Sequence, residues 1–413
     1  MNEKLLRVGF FSPGWPLSSY PNGIVAYIQN IVMGLENLAH PIILTDHFDG
    51  YVSNEEVVDI TKFEFKRSVS QKVIDKILGK LESSYIHKLR YKSFMTHDAG
   101  RLCRAIEQSK VNLDILEIEE SYGVASALIK TCRVPVVTRL HGPHFTMGSI
   151  MKYEDCWDYK LRTFYEGEAI QNSHGVTSPS LDVLEKVRDY YNLELPFAQV
   201  IPNPISPVAN EDRWHYTLSK TPAILFVGRF DAHKGGDLML QAFRIIAQHN
   251  EEITLNFVGP DRGLLCNGKS LTFNDYLEQE IPEQHIKKRI RFFGHQSSEE
   301  IRALRKESLV TVFPSRYENF PVSLLEALSA GCPTVTTPVG GIKEIVTNGY
   351  NGLLAEPESP ESIADRTLAL LGDVSLMQTL SKNAIEDCQR RFYPKVVAAQ
   401  TLDYYKSVIS KQR

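Results

Sequence analysis

Residues 202–207 read Pro202-Asn203-Pro204-Ile205-Ser206-Pro207, three prolines in six residues. Each proline lacks an N–H and fixes its φ, so the stretch can propagate neither a helix nor a central strand. It cuts the chain in two, and each half has to bury a core of its own. With 413 residues and 43% hydrophobic content there is material for two cores, and too much for one.

Both halves alternate between strand and helix. Before the break, apolar runs predict strands at 5–11, 41–45, 114–118, 134–140, 175–177 and 198–201. Helical spacing predicts helices at 24–37, 124–130, 153–172 and 180–191, the last opened by Ser180 as a cap. After the break, strands are predicted at 223–227, 254–258, 290–295 and 309–313, with a helix at 238–249. Such alternation implies parallel sheets covered by helices, and ligands meet those sheets beyond the carboxyl ends of the strands.

Several residues fall at those strand ends. Ser315-Arg316-Tyr317-Glu318-Asn319-Phe320-Pro321-Val322-Ser323 leaves the strand 309–313, and Pro321 marks the start of a helix that carries Glu326. Glu318 thus lies in the loop and Glu326 on the helix, so two carboxylates converge on one crevice. Between them, helix-start N–H groups and the positive end of the dipole offer a site for phosphate. Carboxylates for hydroxyls beside a phosphate cradle suggest a nucleotide-sugar. Gly228-Arg229-Phe230-Asp231-Ala232-His233-Lys234-Gly235 puts Arg229 and Lys234 at another strand-to-helix turn, where parallel sheets present phosphate ligands; the bland reading is two surface cations. Gly259 ends one strand and His295 follows another. In the first half, Gly23 precedes a helix, either as a plain helix-start glycine or as a place for a ligand to approach. His141 ends a strand at its ligand edge, where a structural histidine is the alternative.

The spacing Glu318-x7-Glu326, followed by Ala327-Leu328-Ser329-Ala330-Gly331-Cys332-Pro333, resembles the signature of the family-four retaining glycosyltransferases of the GT-B fold. The pattern Gly228-Arg229-x4-Lys234-Gly235, the Ile201-Pro202-Asn203 segment, and residues 338–346 and 348–354 are similar to the same family. The match is strongest over 223–354 and only architectural before 202. The resemblance implies an α/β fold of two Rossmann-like domains facing each other across a cleft. Residues 1–202 would form the acceptor domain, joined by the C-terminal helix 394–413, and 203–393 the nucleotide-sugar donor domain. It implies that Arg229 and Lys234 meet the diphosphate, Glu326 the ribose, Glu318 the transferred sugar, and His141 the donor sugar. His295 would face the nucleobase, Gly23, Gly259, Asn319 and Phe320 would line the donor site, and Val322 and Ser323 would donate N–H groups to phosphate. This chain departs from the family pattern with Asn22-Gly23 in place of a Gly-Gly pair, and with Pro321 where glycine is commoner.

The implied function is retaining, metal-independent transfer of a sugar from a nucleoside diphosphate to a glycan or lipid-linked acceptor, in cell-surface polysaccharide or glycoconjugate synthesis. A nucleotide-sugar epimerase, a sugar phosphorylase and a non-catalytic sugar-nucleotide-binding protein are the alternatives on this architecture. No cofactor is expected, the nucleotide-sugar being a substrate. No two aspartates have the Asp-x-Asp spacing that would bridge a metal to a diphosphate.

A net charge of −4 and the lack of nucleic-acid motifs argue against a nucleic-acid partner. Six cysteines without C-x-x-C spacing argue against a disulfide framework or zinc cage and for a reducing, cytoplasmic setting. Residues 62–92 carry nine Lys/Arg against three acids, with Val73, Ile74, Ile77, Leu78 and Leu81 on one helical face. That pattern suits peripheral contact with the inner membrane face, or a solvated helix, the commoner outcome for a charge-faced segment.

Overall fold

The computed structural model describes residues 5–50, 56–63, 84–146, 148, 156–216, 222–266 and 269–412. The chain divides into a first unit, Met1–Pro204 with Pro394–Arg413, and a second, Ile205–Tyr393, the cut falling inside the proline-rich segment.

The first unit is built on a seven-stranded sheet of β1 (Arg7–Ser12), β2 (His40–Thr45), β3 (Glu56–Asp59), β4 (Ile115–Glu119), β5 (Val136–Arg139), β6 (Gly175–Ser178) and β7 (Gln199–Val200). The order is β3-β2-β1-β4-β5-β6-β7 and every pairing is parallel. Its helices are α1 (Gly23–Gly34), α2 (Ser84–Gln108), α3 (Val124–Thr131), α4 (Trp157–Asn172) and α5 (Leu181–Tyr191). The Ser180 hydroxyl accepts from the Val183 N–H and caps α5 as expected.

The second unit has a six-stranded parallel sheet, β12-β9-β8-β13-β14-β15, formed by β8 (Ala223–Val227), β9 (Thr254–Val258), β12 (Ile290–Gly294), β13 (Val310–Phe313), β14 (Thr334–Thr336) and β15 (Leu353–Leu354). An antiparallel hairpin of β10 (Leu264–Cys266) and β11 (Lys269–Leu271) is inserted after β9. The helices are α6 (Gly236–His249), α7 (Phe273–Glu280), α8 (Gln284–Lys287), α9 (Ser298–Glu307), α10 (Val322–Ser329), α11 (Ile342–Ile345), α12 (Pro360–Leu371) and α13 (Val374–Arg391).

In both sheets the strand order reverses beside the first strand of the unit, between β1 and β4 and between β8 and β13. Loops leaving those strands diverge to opposite faces of the sheet, which opens a crevice at their carboxyl ends. The buried strand Ala223–Val227 is a continuous apolar run, as expected where helices cover both faces, and Thr254–Val258 is buried along its whole length although it carries Thr254 and Asn256.

The last helix, α14 (Pro394–Gln412), belongs to the first unit, where Val397, Ala398, Tyr404, Tyr405 and Val408 join the core of β1 and α1. The Tyr404 hydroxyl spans the edge of the sheet, donating to the carbonyls of Val176 and Phe197 and accepting from the Val176 N–H at 2.8 Å.

Three expectations on local structure shift. Pro321 is the residue before α10 rather than inside its first turn. The helix expected at 153–172 is described from Trp157, residues 153–155 lying outside the described set. Of the basic stretch 62–92, residues 64–83 likewise lie outside it, and 84–92 form the start of the long helix α2. Among the described residues no helix is long and apolar enough to cross a membrane.

Candidate active site

The residues expected to hold phosphate and sugar fall at the β8/β13 reversal of the second unit. Arg229 and Lys234 lie in the loop leaving β8, and Glu318 in the loop leaving β13. Lys234 Nζ donates to Glu318 Oε1 at 2.6 Å, and Ser315 Oγ donates to the same oxygen at 2.8 Å. Both side-chain bonds fall on Oε1, which leaves Oε2 as the oxygen able to accept a sugar hydroxyl. Glu318 is buried, and burial by itself pushes its carboxyl up. The Lys234 ammonium, by its charge and its hydrogen bond, and the Ser315 bond reverse that and hold the group below its ordinary range. Glu318 is an ionised carboxylate.

Asp231 organises the rest of the β8 loop. One oxygen accepts from the Lys234 N–H at 2.8 Å and the other from Arg229 Nε at 2.7 Å. Burial lowers the His233 pKa, which keeps the imidazole neutral beside the two cations. Arg229 and Lys234 are therefore ion-paired with Asp231 and Glu318 rather than being free surface cations. Their charges nearly cancel, so a diphosphate would also draw on the first-turn N–H groups of α10, which have no acceptor within the helix. Val322 and Ser323 supply two of these.

Glu326 projects from α10 toward α9 instead. Its Oε2 accepts from Arg305 Nη2 at 2.5 Å, while the Arg305 side chain is largely buried and Glu326 is 41% exposed. The two glutamates thus have separate cations, and only one Glu326 oxygen remains outside its ion pair.

Gly259 and His295 lie at neighbouring strand exits. The Gly259 N–H donates to the Gly294 carbonyl at 2.8 Å. A Cβ on Gly259, whose φ is +143°, would stand 2.0 Å from the Gly228 carbonyl, so β8 and β9 can leave side by side only with glycine there. His295 is exposed, and its carbonyl accepts from Gln296 Nε2 at 3.1 Å. The Phe320 ring is buried in the core against Phe392, 5.8 Å between centroids. Asn319 precedes it in the same loop.

Gly23 and His141 belong to the first unit. Gly23 is the first residue of α1, beside Asn22, whose side chain caps the helix by accepting from the Ile24 N–H at 2.7 Å. A Cβ on Gly23 would meet nothing within 4 Å, so packing does not require a glycine. His141 follows β5 and its ring makes an edge contact with Tyr27 at 4.9 Å. Burial and the Arg139 charge hold its pKa well below the usual value, so the imidazole is neutral. Glu120 fixes the turn by accepting from the His141 and Gly142 N–H groups at 2.9 and 2.7 Å.

Sequence reasoning missed Asp231, His233, Asp237, Arg305, Ser315 and Arg316. Ser315 had a local signal, three residues before Glu318. Arg305 and Arg316 had none, because their partners lie 21 and 79 residues away.

Comparison with known proteins agrees with this geometry. Residues 208–387 match the family model described as glycosyl transferases group 1. The chain is 26% identical over 381 residues to the uncharacterized glycosyltransferase MJ1178 of Methanocaldococcus jannaschii, covering 92% of this chain and 93% of that one. Sucrose-phosphate synthase from Thermosynechococcus elongatus superposes with a TM-score of 0.71 at 16% identity, over 98% of this chain and all of that one. Anabaena HepE, solved in complex with UDP-glucose, superposes with a TM-score of 0.62 at 15% identity, over 97% of this chain and 100% of the other. These two likenesses show the GT-B fold.

Proposed function

We propose that the chain, whose residues 208–387 match the model of the glycosyl transferases group 1 family and which has the GT-B fold, is a glycosyltransferase performing retaining transfer from a nucleoside-diphosphate-sugar to a glycan or lipid-linked acceptor, in cell-surface glycan synthesis. The observation that carries this reading is the Lys234–Glu318 pair beside Arg229 at the strand reversal of the second unit. Lys234, Arg229 and the α10 N–H groups stabilise the diphosphate as the bond from sugar C1 to phosphate oxygen breaks. The acceptor oxygen bonds to C1 on the face the diphosphate leaves, and its proton passes to the leaving oxygen. Glu318 holds the sugar's hydroxyls throughout and Glu326 the ribose. The cations take the part of a divalent metal.

UDP-sugars are the first donors to try, HepE having been solved with UDP-glucose. Incubation with UDP-, GDP- and ADP-glucose and a panel of glycan and lipid-linked acceptors should give a product whose anomeric proton shows the donor's configuration. An inverted product would overturn retention, and turnover only with inorganic phosphate would make the protein a phosphorylase. Peripheral membrane contact through 62–92 is part of the proposal. Sedimentation with anionic liposomes at low salt, fading as salt rises, supports it, and none at low salt removes it.

A further inference from the structure

Arg316 sits between the two loops that carry the site. Its Nη1 donates to the Ala232 carbonyl at 2.7 Å and to Asp237 Oδ1 at 2.8 Å, and its Nη2 donates to Asp237 Oδ2 at 2.8 Å. Its backbone N–H donates to the His233 carbonyl at 2.9 Å, and its Nε pairs with Glu358 at 2.8 Å. The side chain is mostly buried, which opposes its charge, but the carboxylates of Asp237 and Glu358 more than offset this and hold it firmly protonated. One residue of the β13 loop thereby grips the two peptide carbonyls that immediately precede Lys234. Two residues after Arg316, Glu318 takes the Lys234 ammonium. Gly235, in the left-handed region at φ +67°, lets the loops touch again on the other side of Lys234, since a Cβ there would stand 2.0 Å from the Pro314 carbonyl.

We propose that Arg316 is a positioning residue that sets the Lys234 ammonium for the diphosphate, by fixing the Ala232 and His233 carbonyls against the β13 loop. The guanidinium is required for its shape. A planar fork can reach a bidentate carboxylate and a carbonyl together, whereas a lysine in its place supplies a single point charge. Lys234 cannot be held by Glu318 alone, because one ion pair leaves a four-carbon stem several rotamers. With its backbone pinned and its head paired, the side chain is confined at both ends.

The inference rests on the reading of this site as a nucleoside-diphosphate site, and its test separates the two. Wild type is titrated with UDP, GDP and ADP, and the tightest of the three becomes the probe. Its affinity is then measured for Arg316→Lys, Arg316→Met, Lys234→Ala and the two double variants. In the wild-type background either Arg316 variant should weaken the probe by about tenfold, and in the Lys234→Ala background by less than about twofold. Melting temperature is followed in parallel, and if Arg316→Met does not fold, Asp237→Asn takes its place in the cycle. Equal losses in both backgrounds, or full affinity restored by Arg316→Lys, would overturn the positioning role, since either would mean Arg316 acts as a structural ion pair or a plain charge. If wild type binds none of the three nucleotides, the site reading fails and the inference fails with it.

Discussion

The two units carry the same kind of parallel sheet and both bury carboxylates, in the first on and just after β4 and on α4, in the second in the loop leaving β13, yet they treat them in opposite ways. In the first unit Glu117 accepts from the Tyr27 and Tyr405 hydroxyls, Glu120 from two backbone N–H groups, and Glu166 from the His144 N–H and Arg162. Burial dominates and pushes all three up, Glu166 and also Glu119 to about 7. In the second unit Glu318 is as deeply buried, but an ammonium at 2.6 Å reverses the direction. Arg139 near Glu117 and Arg162 on Glu166 also pull those carboxyls down but do not outweigh burial, whereas Lys234 together with the Ser315 bond does so at Glu318. The first group of carboxylates is therefore pushed toward the neutral form, and Glu318 stays ionised.

The sharpest way to break this contrast is to remove the cation. Lys234→Ala should lower turnover by roughly 10²–10³-fold, the cost of deleting one preorganised charge partner of a leaving group. Arg229→Ala should act in the same direction. Steady-state rates with the best donor check this, and a change within a few-fold would make the pair structural, like those of the first unit. Somewhat smaller effects should separate the two glutamates. Glu318→Gln keeps the shape and removes the charge, and should depress kcat by about 10²-fold with little effect on donor affinity, since its contacts to the sugar strengthen only in the transition state. Glu326→Gln should weaken the donor about tenfold and leave kcat within a few-fold. Identical profiles for the two variants would refute the separate roles.

On the other side of the comparison, Tyr405→Phe should cost about 1–3 kcal/mol of stability by leaving the buried Glu117 one donor short, with nucleotide affinity unchanged. Calorimetry and a UDP titration on one preparation test both halves of the statement. A loss of affinity would show that the first unit's carboxylates reach the donor site.

That tyrosine also shows where sequence reasoning stops. Strands β8 and β9 were legible to the residue, because each is a short, mostly apolar run closed by a glycine, Gly228 and Gly259, and the cations of the loop from Gly228 to Gly235 were picked out by their place at a strand-to-helix turn together with the family pattern. Nothing local marks Tyr405 as the partner of Glu117, 288 residues away, or Arg316 as the partner of Asp237. Periodicity shows that a helix has a buried face and not which hydroxyl on it meets a carboxylate. Helix α9 is a different case. Its Ser297/Glu300 capping box was readable in the sequence but lay in a stretch with few apolar residues, so it did not stand out.

Acidification should give a still smaller effect, of opposite sign in the two units. Glu119 and Glu166, raised to about 7 from an ordinary 4.5, bind more protons folded than unfolded, so they favour the folded first unit most below 4.5 and progressively less as pH rises to about 7. Glu318 is depressed, so its contribution is complete above the ordinary carboxylate value and is lost only as pH falls through its lower folded value. Between pH 7 and 5, hydrogen exchange corrected for intrinsic rates should slow in peptides covering β4 and the part of α4 around Glu166 and stay flat across 314–321. Slower exchange in both, or in neither, would mean that the two sets of carboxylates are not distinguished by their partners.

The smallest expected effect is none. Sugar transferases that need a divalent ion hold it with paired aspartates that bridge it to the diphosphate, and the charge that the ion would supply is here available from Arg229, Lys234 and the α10 N–H groups. A guanidinium fork and a point charge, each already held by a carboxylate, are preorganised to shift toward a diphosphate as its charge develops. Excess chelator should therefore leave the rate within about twofold, while Lys234→Ala in the same buffer loses most of it. If chelator abolishes transfer and added magnesium or manganese restores it, the ion is carrying charge that the Lys234–Glu318 pair was thought to manage. The second unit's carboxylate would then be ionised to serve a metal instead of a sugar hydroxyl.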